Sequence, residues 1–454
     1  MDFLYSAGAF VLALAVLITI HEFGHFWVAR KLGVKILRFS VGFGRPLWVR
    51  RFGSDNTEFV VAALPLGGYV KMLDEREGEV APQEYGRAFN RKPLVLRTAI
   101  VLAGPLFNFL FAIVVYWLMF SIGIAGIKPI IGEVIPSSRA EQAGFQPGQV
   151  IVAVDSRPTP TWGAVLSATV GKLIDAETIV VAVRQEAGLE RELVIDLEGL
   201  SLDDFARGGV FELIGLRPLR PRLPAVIDQV LSGGAAETAG LKMGDRILSA
   251  DGQSIEFWDG WVKYVQARPG ETMRVEVLRG GEQLMLNLRP DAIETEHGQI
   301  GRIGASVHQP EDFERSFSAV ERYPPLIALG KSLEKTWEMS ALTLRILAKI
   351  LFGQASVENL SGPISIAQYA GITASIGLVA FLGFLGIVSI SLGVLNLLPI
   401  PLLDGGHLMY YLIEFVKGSP VSEAAQLVGQ QIGLAVLLGV MVLAFYNDIA
   451  RLMG

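Results

Sequence analysis

No cysteine occurs among the 454 residues. That excludes disulfides, thiolate metal sites and a thiol nucleophile, so any bound metal must be held by His, Asp or Glu. Histidine is scarce too, with five in the chain. Charge is thin: 19% of residues are charged against 51% hydrophobic, more apolar than an average soluble domain. The net charge of −6 supplies no basic footprint, so no nucleic-acid partner is expected.

What the chain has instead is long stretches without charge. A bilayer crossing needs about 20 apolar residues, and four segments qualify: Phe3 to Val28, the run bounded by Arg97 and Lys128, part of the stretch from Asn359 to Leu403, and Ala424 to Asn447. The first lacks the basic flank and small-residue cleavage site of a signal peptide and is expected to be retained. The charged middle, about 128 to 310, reads as soluble. Basic residues favour the cytoplasmic side of a membrane, and the segment from Arg30 to Arg97 is rich in them, with Arg30, Lys31, Lys35, Arg38, Arg50 and Arg51 at its start. This predicts a cytoplasmic 30–97 segment, both termini outside, and the soluble middle outside.

One motif stands inside the first apolar run: His21-Glu22-Phe23-Gly24-His25. Residues four apart share a helix face, so both imidazoles can address one ion, and H-E-x-x-H is a zinc-hydrolase pattern with the Glu as general base. Ionisable groups in an apolar span are expensive, which makes them candidates for function. Near the other end lies Asn396-Leu397-Leu398-Pro399-Ile400-Pro401-Leu402-Leu403-Asp404-Gly405-Gly406-His407. A helix starting outside near Ile376 and rising ~1.5 Å per residue crosses most of a ~30 Å core before Asp404, reaching the depth of His21 and His25. The prolines break the helix, and irregular backbone at that depth is tolerated where it lines a cavity. Asp404 is the expected third ligand, leaving one position for water. His407 is its rival.

The middle contains a repeat. Ala140-Glu141-Gln142-Ala143-Gly144-Phe145 with Pro147-Gly148-Gln149-Val150-Ile151 matches Ala236-Glu237-Thr238-Ala239-Gly240-Leu241 with Met243-Gly244-Asp245-Arg246-Ile247 at an offset of 96, as do Asp155 with Asp251 and Trp162 with Trp258. Each copy reads as a short helix, a glycine cap and a strand. These lines resemble a tandem pair of PDZ domains, with Gln149 the one departure. PDZ domains bind extended or carboxyl-terminal peptides by strand addition. Such ligands are expected here alongside a simpler role as a steric filter.

Taken together, His21-Glu22-x-x-His25 and Asn396-x-x-Pro399-x-Pro401-x-Leu403-Asp404-Gly405 resemble the site-2 protease family of intramembrane zinc metalloproteases. The resemblance covers essentially the whole chain. It implies a Zn2+ cofactor on His21, His25 and Asp404, with Glu22 as catalytic base. Substrates would be pre-trimmed single-span membrane proteins of the anti-sigma-factor type, or remnant signal peptides. The site would open to the cytoplasm of a bacterial inner membrane, with the PDZ domains in the periplasm. By the same resemblance Asn396 and Pro399 stand near substrate, and Gly67-Gly68-Tyr69-Val70 belongs to a membrane-dipping sheet whose edge could pair with unwound substrate. From the residues alone, Gly67-Gly68 is expected to form a tight turn. Asn108, beyond the kink at Gly104-Pro105, is a candidate to face the site.

The expected fold is an α-helical polytopic membrane protein with four transmembrane helices and a membrane-associated β-hairpin or sheet, plus two mixed α/β PDZ domains. The segments are 1–127 (helices one and two, the H-E-x-x-H motif and the β region), 128–221 and 222–310 (the PDZ copies), 311–358 (an amphipathic helical linker on the outer surface) and 359–454 (helices three and four). The contrary expectation is a non-catalytic membrane scaffold that displays PDZ domains around a structural zinc. A retained Glu22 and only three protein ligands argue against it.

Overall fold

The computed structural model describes residues 3–453 apart from 175–177, 186–187, 201–208, 220–221, 296–297, 311–312, 355 and 360. The expected boundaries at 221/222 and 310/311 therefore fall on or beside residues outside the described set. Among the described residues, four helices are long and apolar enough to cross a membrane. The first, α1 (Phe3–Lys31), is largely apolar apart from His21, Glu22 and His25 and ends on Arg30 and Lys31, cations well placed against the negative end of the helix dipole.

After α1 the chain forms β1 (Ile36–Phe52) and β2 (Thr57–Met72). Each bends, so the two strands make one sheet of four side-by-side segments. Residues 36–41 pair on one side with Gly68–Met72 and on the other with Glu58–Val61, while residues 46–52 pair with 57–62. Gly42 and Gly44 at φ +95° and +83° supply the first bend, a conformation that favours glycine. Here the expectation for Gly67-Gly68 needs correction. The segments flanking these glycines do not pair with each other as a hairpin would; both pair with residues 36–43. The sheet docks on the last turns of α1, where Phe26 meets Phe39 and Phe59 edge-on at 5.5 and 5.6 Å.

Next comes α2 (Leu94–Ile122), which ends at Gly123 with φ +110°. The middle of the chain then repeats one topology. The first copy has β3 (Ile131–Val134), β4 (Val150–Val154), β5 (Arg157–Pro158), α3 (Trp162–Ile174), β6 (Ile179–Arg184), β7 (Glu190–Ile195), α4 (Val210–Ile214) and β8 (Leu216–Pro218). Its sheet order is β5-β4-β6-β7, and β3 pairs with β8. The second has β9 (Ile227–Val230), β10 (Arg246–Ala250), β11 (Gln253–Ser254), α5 (Trp258–Gln266), β12 (Met273–Arg279), β13 (Glu282–Leu288) and β14 (Ala305–Val307). Its order is β11-β10-β12-β13, with β9 on β14. Asp155 and Asp251 both sit at positive φ, +46° and +48°. Each accepts a backbone N–H from the neighbouring strand, of Val180 at 2.9 Å and Arg274 at 2.8 Å. Gln149 keeps the turn bond that Asp245 makes, accepting from Gln146 N as Asp245 does from Lys242 N. Asp245 also binds Arg279 through two 2.7 Å contacts, whereas the strand register puts the exposed, uncharged Gln185 at the matching place in the first copy.

The return to the membrane uses α6 (Pro325–Leu351), α7 (Pro363–Ile376), α8 (Leu378–Leu397), α9 (Asp404–Lys417) and α10 (Glu423–Met453). The uncharged run from 359 to 403 is thus two helices, split at Gly377 with φ +134°. Small residues on α8 let α2 approach: a methyl on Gly386 would meet the Tyr116 ring at 2.9 Å, one on Gly393 would meet Phe109 at 3.1 Å, and between them Ser389 Oγ donates to Asn108 O at 2.8 Å. Without a hydrophobic drive in lipid, close backbone packing and interhelical hydrogen bonds hold such pairs together.

Candidate metal centre

His21 and His25 project from one face of α1, as their spacing requires. Asp404 is the first residue of α9, after the irregular turn 398–403. His21 Nε2 lies 3.2 Å from Asp404 Oδ2, His25 Nε2 lies 3.4 Å from the same oxygen, and the two nitrogens are 3.3 Å apart. The three donors form a nearly equilateral triangle. Ligands held about 2.0–2.1 Å from a tetrahedral zinc stand about 3.3–3.4 Å from one another. Asp404 Oδ2 is buried with no hydrogen-bond partner, as a carboxylate oxygen reserved for a cation would be. The residues therefore fit a divalent metal. Among the described residues this is the one His/Asp/Glu group with such geometry, and His407 is not part of it.

Each imidazole is oriented from behind. His25 Nδ1 donates to the carbonyl of Ile100 on α2 at 2.8 Å. The Asn108 side-chain amide lies 3.2 Å from His21 Nδ1. With Nε2 turned to the triangle, Nδ1 carries the hydrogen, so the amide must offer its oxygen; turned the other way, that oxygen is buried without a partner. Such outer contacts fix the tautomer and ring plane of a ligating histidine. Two glycines permit the approach. A methyl on Gly24 would meet Ala103 C at 2.9 Å, and one on Gly104 would meet His21 Cε1 at 2.8 Å and the His25 ring closer still.

The turn carrying Asp404 is tightly wound. Ile400 N donates to Leu398 O at 2.7 Å and Leu403 N to Ile400 O at 3.1 Å. Leu402 takes φ +92°, rare for a side-chain-bearing residue and worth about 1–3 kcal/mol of strain. Gly405 and Gly406 let this turn fold onto the start of α9; a methyl on Gly406 would meet Ile400 O at 2.5 Å.

Glu22 is the next residue after His21 and faces the sheet. Its carboxylate accepts the backbone N–H of Val70. Gly68 is pressed against it, since a methyl there would meet Ile18 at 2.8 Å and Glu22 Cγ at 3.0 Å. Gly67 lies under the Phe43 ring. Tyr69 turns its hydroxyl to Arg38 Nη1 at 3.2 Å and stacks on Phe43. Asn396 is half-buried on the last turn of α8 and Pro399 is exposed; neither joins the triangle. Sequence reasoning missed the Ile100 carbonyl, for which no side-chain signature exists, and the strained Leu402.

The model of peptidase family M50 matches residues 9–440. The chain is 43% identical over 455 residues to "Regulator of sigma E protease" of Salmonella typhi, with 100% of both chains covered. It is 42% identical over 455 residues to "Regulator of sigma-E protease RseP" of Escherichia coli, again over 100% of each. Among solved structures, the PDZ domain of an SdrC-like protein from Listeria monocytogenes aligns at 22% identity and a TM-score of 0.16, covering 18% of this chain and 84% of that one. Matched from end to end by such relatives, and with two imidazoles and a carboxylate closing on one point, the chain belongs to peptidase family M50 and is a membrane zinc metalloprotease of the site-2 type.

Proposed function

We propose that this protein cleaves peptide bonds inside the transmembrane segment of single-span membrane proteins, with His21, His25 and Asp404 as metal ligands and Glu22 as general base. The carrying observation is the 3.2–3.4 Å triangle of Nε2, Nε2 and Oδ2, with Glu22 between the two histidines on the same turn of α1. Bound there, zinc supplies Lewis acidity toward water and the scissile carbonyl. Glu22, held by Val70 N–H, takes a proton from the attacking water and returns it to the leaving amine. The sheet edge formed by Gly67-Gly68-Tyr69 lies against Glu22, where an unwound substrate strand can pair with it. Asn396 and Pro399 border the path to the site, and Asn108 sets the His21 ring.

By likeness to relatives called regulators of sigma-E protease, the substrate is of the anti-sigma-factor type, in a bacterial inner membrane. The basic 30–97 segment supports a cytoplasmic opening, with the repeated domains outside as tandem PDZ domains. Among the described residues the second copy offers a free groove: Trp258, Val262, Gln266, Ile303 and Ala305 line a cavity of about 260 Å³ between α5 and β14. In the first copy α4 fills the matching space, with Val210 and Ile214 buried and Phe211 against Trp162 at 4.6 Å. The second copy is thus the one that takes a peptide carboxyl terminus.

The test uses purified Glu22→Gln, His21→Ala and Asp404→Ala with a fluorogenic single-span substrate and metal analysis. Glu22→Gln should abolish cleavage while retaining zinc; the ligand variants should lose both. Unchanged turnover by Glu22→Gln overturns the mechanism.

A further inference from the structure

Glu22 is held from outside its own helix, by the backbone N–H of Val70. Val70 lies in the edge segment of the β1–β2 sheet, residues 68–72, which among the described residues pairs with 36–41 alone. Close to Glu22 this segment has little to anchor it, because Gly67 and Gly68 carry no side chains. Tyr69 is the first residue that can tie the edge down.

Strand side chains alternate between faces. Val70 and its partner Phe39 turn toward α1, where they pack with Phe26, so Tyr69 turns the other way. On that far face one row of polar side chains crosses all four segments of the sheet. Arg51 Nη2 donates to Glu58 Oε1 at 2.7 Å. Arg38 Nε and Nη2 donate to Glu58 Oε2 at 2.9 and 2.6 Å. Arg38 Nη1 donates to the Tyr69 hydroxyl at 3.2 Å. Tyr69 pairs with Ser40, two residues on from Arg38, so this last contact is the diagonal one that long side chains can reach. All three guanidinium nitrogens of Arg38 are thus engaged, and its planar fork presents them together in a fixed geometry. Phe43 braces the Tyr69 ring, 6.2 Å away and nearly parallel at 7°.

We infer that Arg38 is a positioning residue for the hydrolysis: through Tyr69 it fixes the strand edge that presents Val70 N–H to Glu22, and so the place of the base beside the metal triangle. This rests on Glu22 being the general base. The link is short, since a methyl on Gly68 would stand 3.0 Å from Glu22 Cγ, and a shift of the edge reaches the carboxylate directly. Catalytic groups tolerate about 0.5 Å of misplacement, and about 1 Å can cost a hundredfold in rate. The Arg38 side chain is 42% exposed, and solvent weakens such ties, which brings the expected effect nearer to tenfold.

The experiment uses zinc-loaded full-length protein in nanodiscs with a fluorogenic single-span substrate. R38M and Y69F should each lower kcat about tenfold while KM stays within about twofold. R38M/Y69F should fall no further than either single variant, because both break the same link. R38K should recover only part of the loss, since an ammonium cannot span Glu58 and Tyr69 as the fork does. R51Q leaves the Tyr69 link in place and should turn over like wild type. Hydrogen exchange at residues 68–72 should quicken about tenfold in R38M and Y69F, with exchange in α1 and zinc content unchanged. If E22Q cleaves like wild type, the reading of Glu22 is wrong and the role of Arg38 falls with it. If E22Q is inactive but R38M keeps the wild-type kcat, or exchange at 68–72 does not change, the role of Arg38 alone is refuted. A rise in KM at constant kcat would place Arg38 in substrate binding, and a matching loss of zinc or of melting temperature would make it a fold-stabilising residue; either overturns the inference.

Discussion

Replacing Gly104 with alanine should loosen the metal centre without touching a ligand. The added methyl would stand 2.8 Å from His21 Cε1, where carbon atoms settle at about 3.5–4.0 Å. One ring, or all of α2, must give way by roughly 1 Å, against a tolerance of about 0.2 Å in ligand distance. Disturbing the outer support of zinc ligands lowers affinity or activity by about 10–100-fold, and Gly104→Ala should fall at the upper end because both imidazoles are struck. The assay is zinc retention against graded chelator, read alongside cleavage. Gly8→Ala is the control, since a methyl there meets nothing within 4 Å. Gly104→Ala that holds zinc like wild type and turns over normally would refute the claim that the α1–α2 approach sets the triangle.

Asn108→Leu should keep the fold but lower zinc affinity about tenfold by freeing the His21 ring, measured by the same chelator competition; an unaltered affinity would remove Asn108 from the centre. Arg97 and Glu414 pair at 2.5 Å with side chains only 14% and 16% exposed, so Arg97→Ala should cost about 3–5 kcal/mol in resistance to unfolding, detected as a fall in melting temperature in detergent. Trp261→Ala, which removes a side chain 1% exposed from the second repeat, should cost about 3–5 kcal/mol there and abolish peptide binding in its groove by fluorescence anisotropy, leaving cleavage of a short substrate intact. Leu402→Gly should relieve backbone strain; a rise in thermal stability with reduced turnover would show that the wound turn holds Asp404 in place.

How much of this could be read beforehand depends on which part of each residue acts. His21 and His25 announce themselves because side-chain identity and helical spacing suffice, and the charge-free runs mark four apolar helices for the same reason. Asp404 could be brought to them only through a depth argument, since nothing local distinguishes it from a turn residue in Asp-Gly-Gly. The Ile100 carbonyl and the Val70 N–H act through backbone and leave no trace in the chain. The helix start expected near Ile376 falls at the break at Gly377, whereas the separate helix α7 before it carries no mark of its own in the uncharged run. Gly67-Gly68 misled because a pair of glycines signals a tight turn in general, whereas here they make room for Glu22 and Phe43. The 96-residue repeat was plain, yet the difference between its copies rests on whether residues 210–214 coil into a helix across the groove, a tertiary outcome.

The two halves of the triangle are far apart along the chain, in α1 and at the head of α9, with both repeats between them. A ribosome making this protein inserts the first helix, with its imidazoles, long before the carboxylate exists. Every nascent intermediate up to Asp404 therefore lacks the complete donor set, and the third member of the triangle is added only after both repeats have been made.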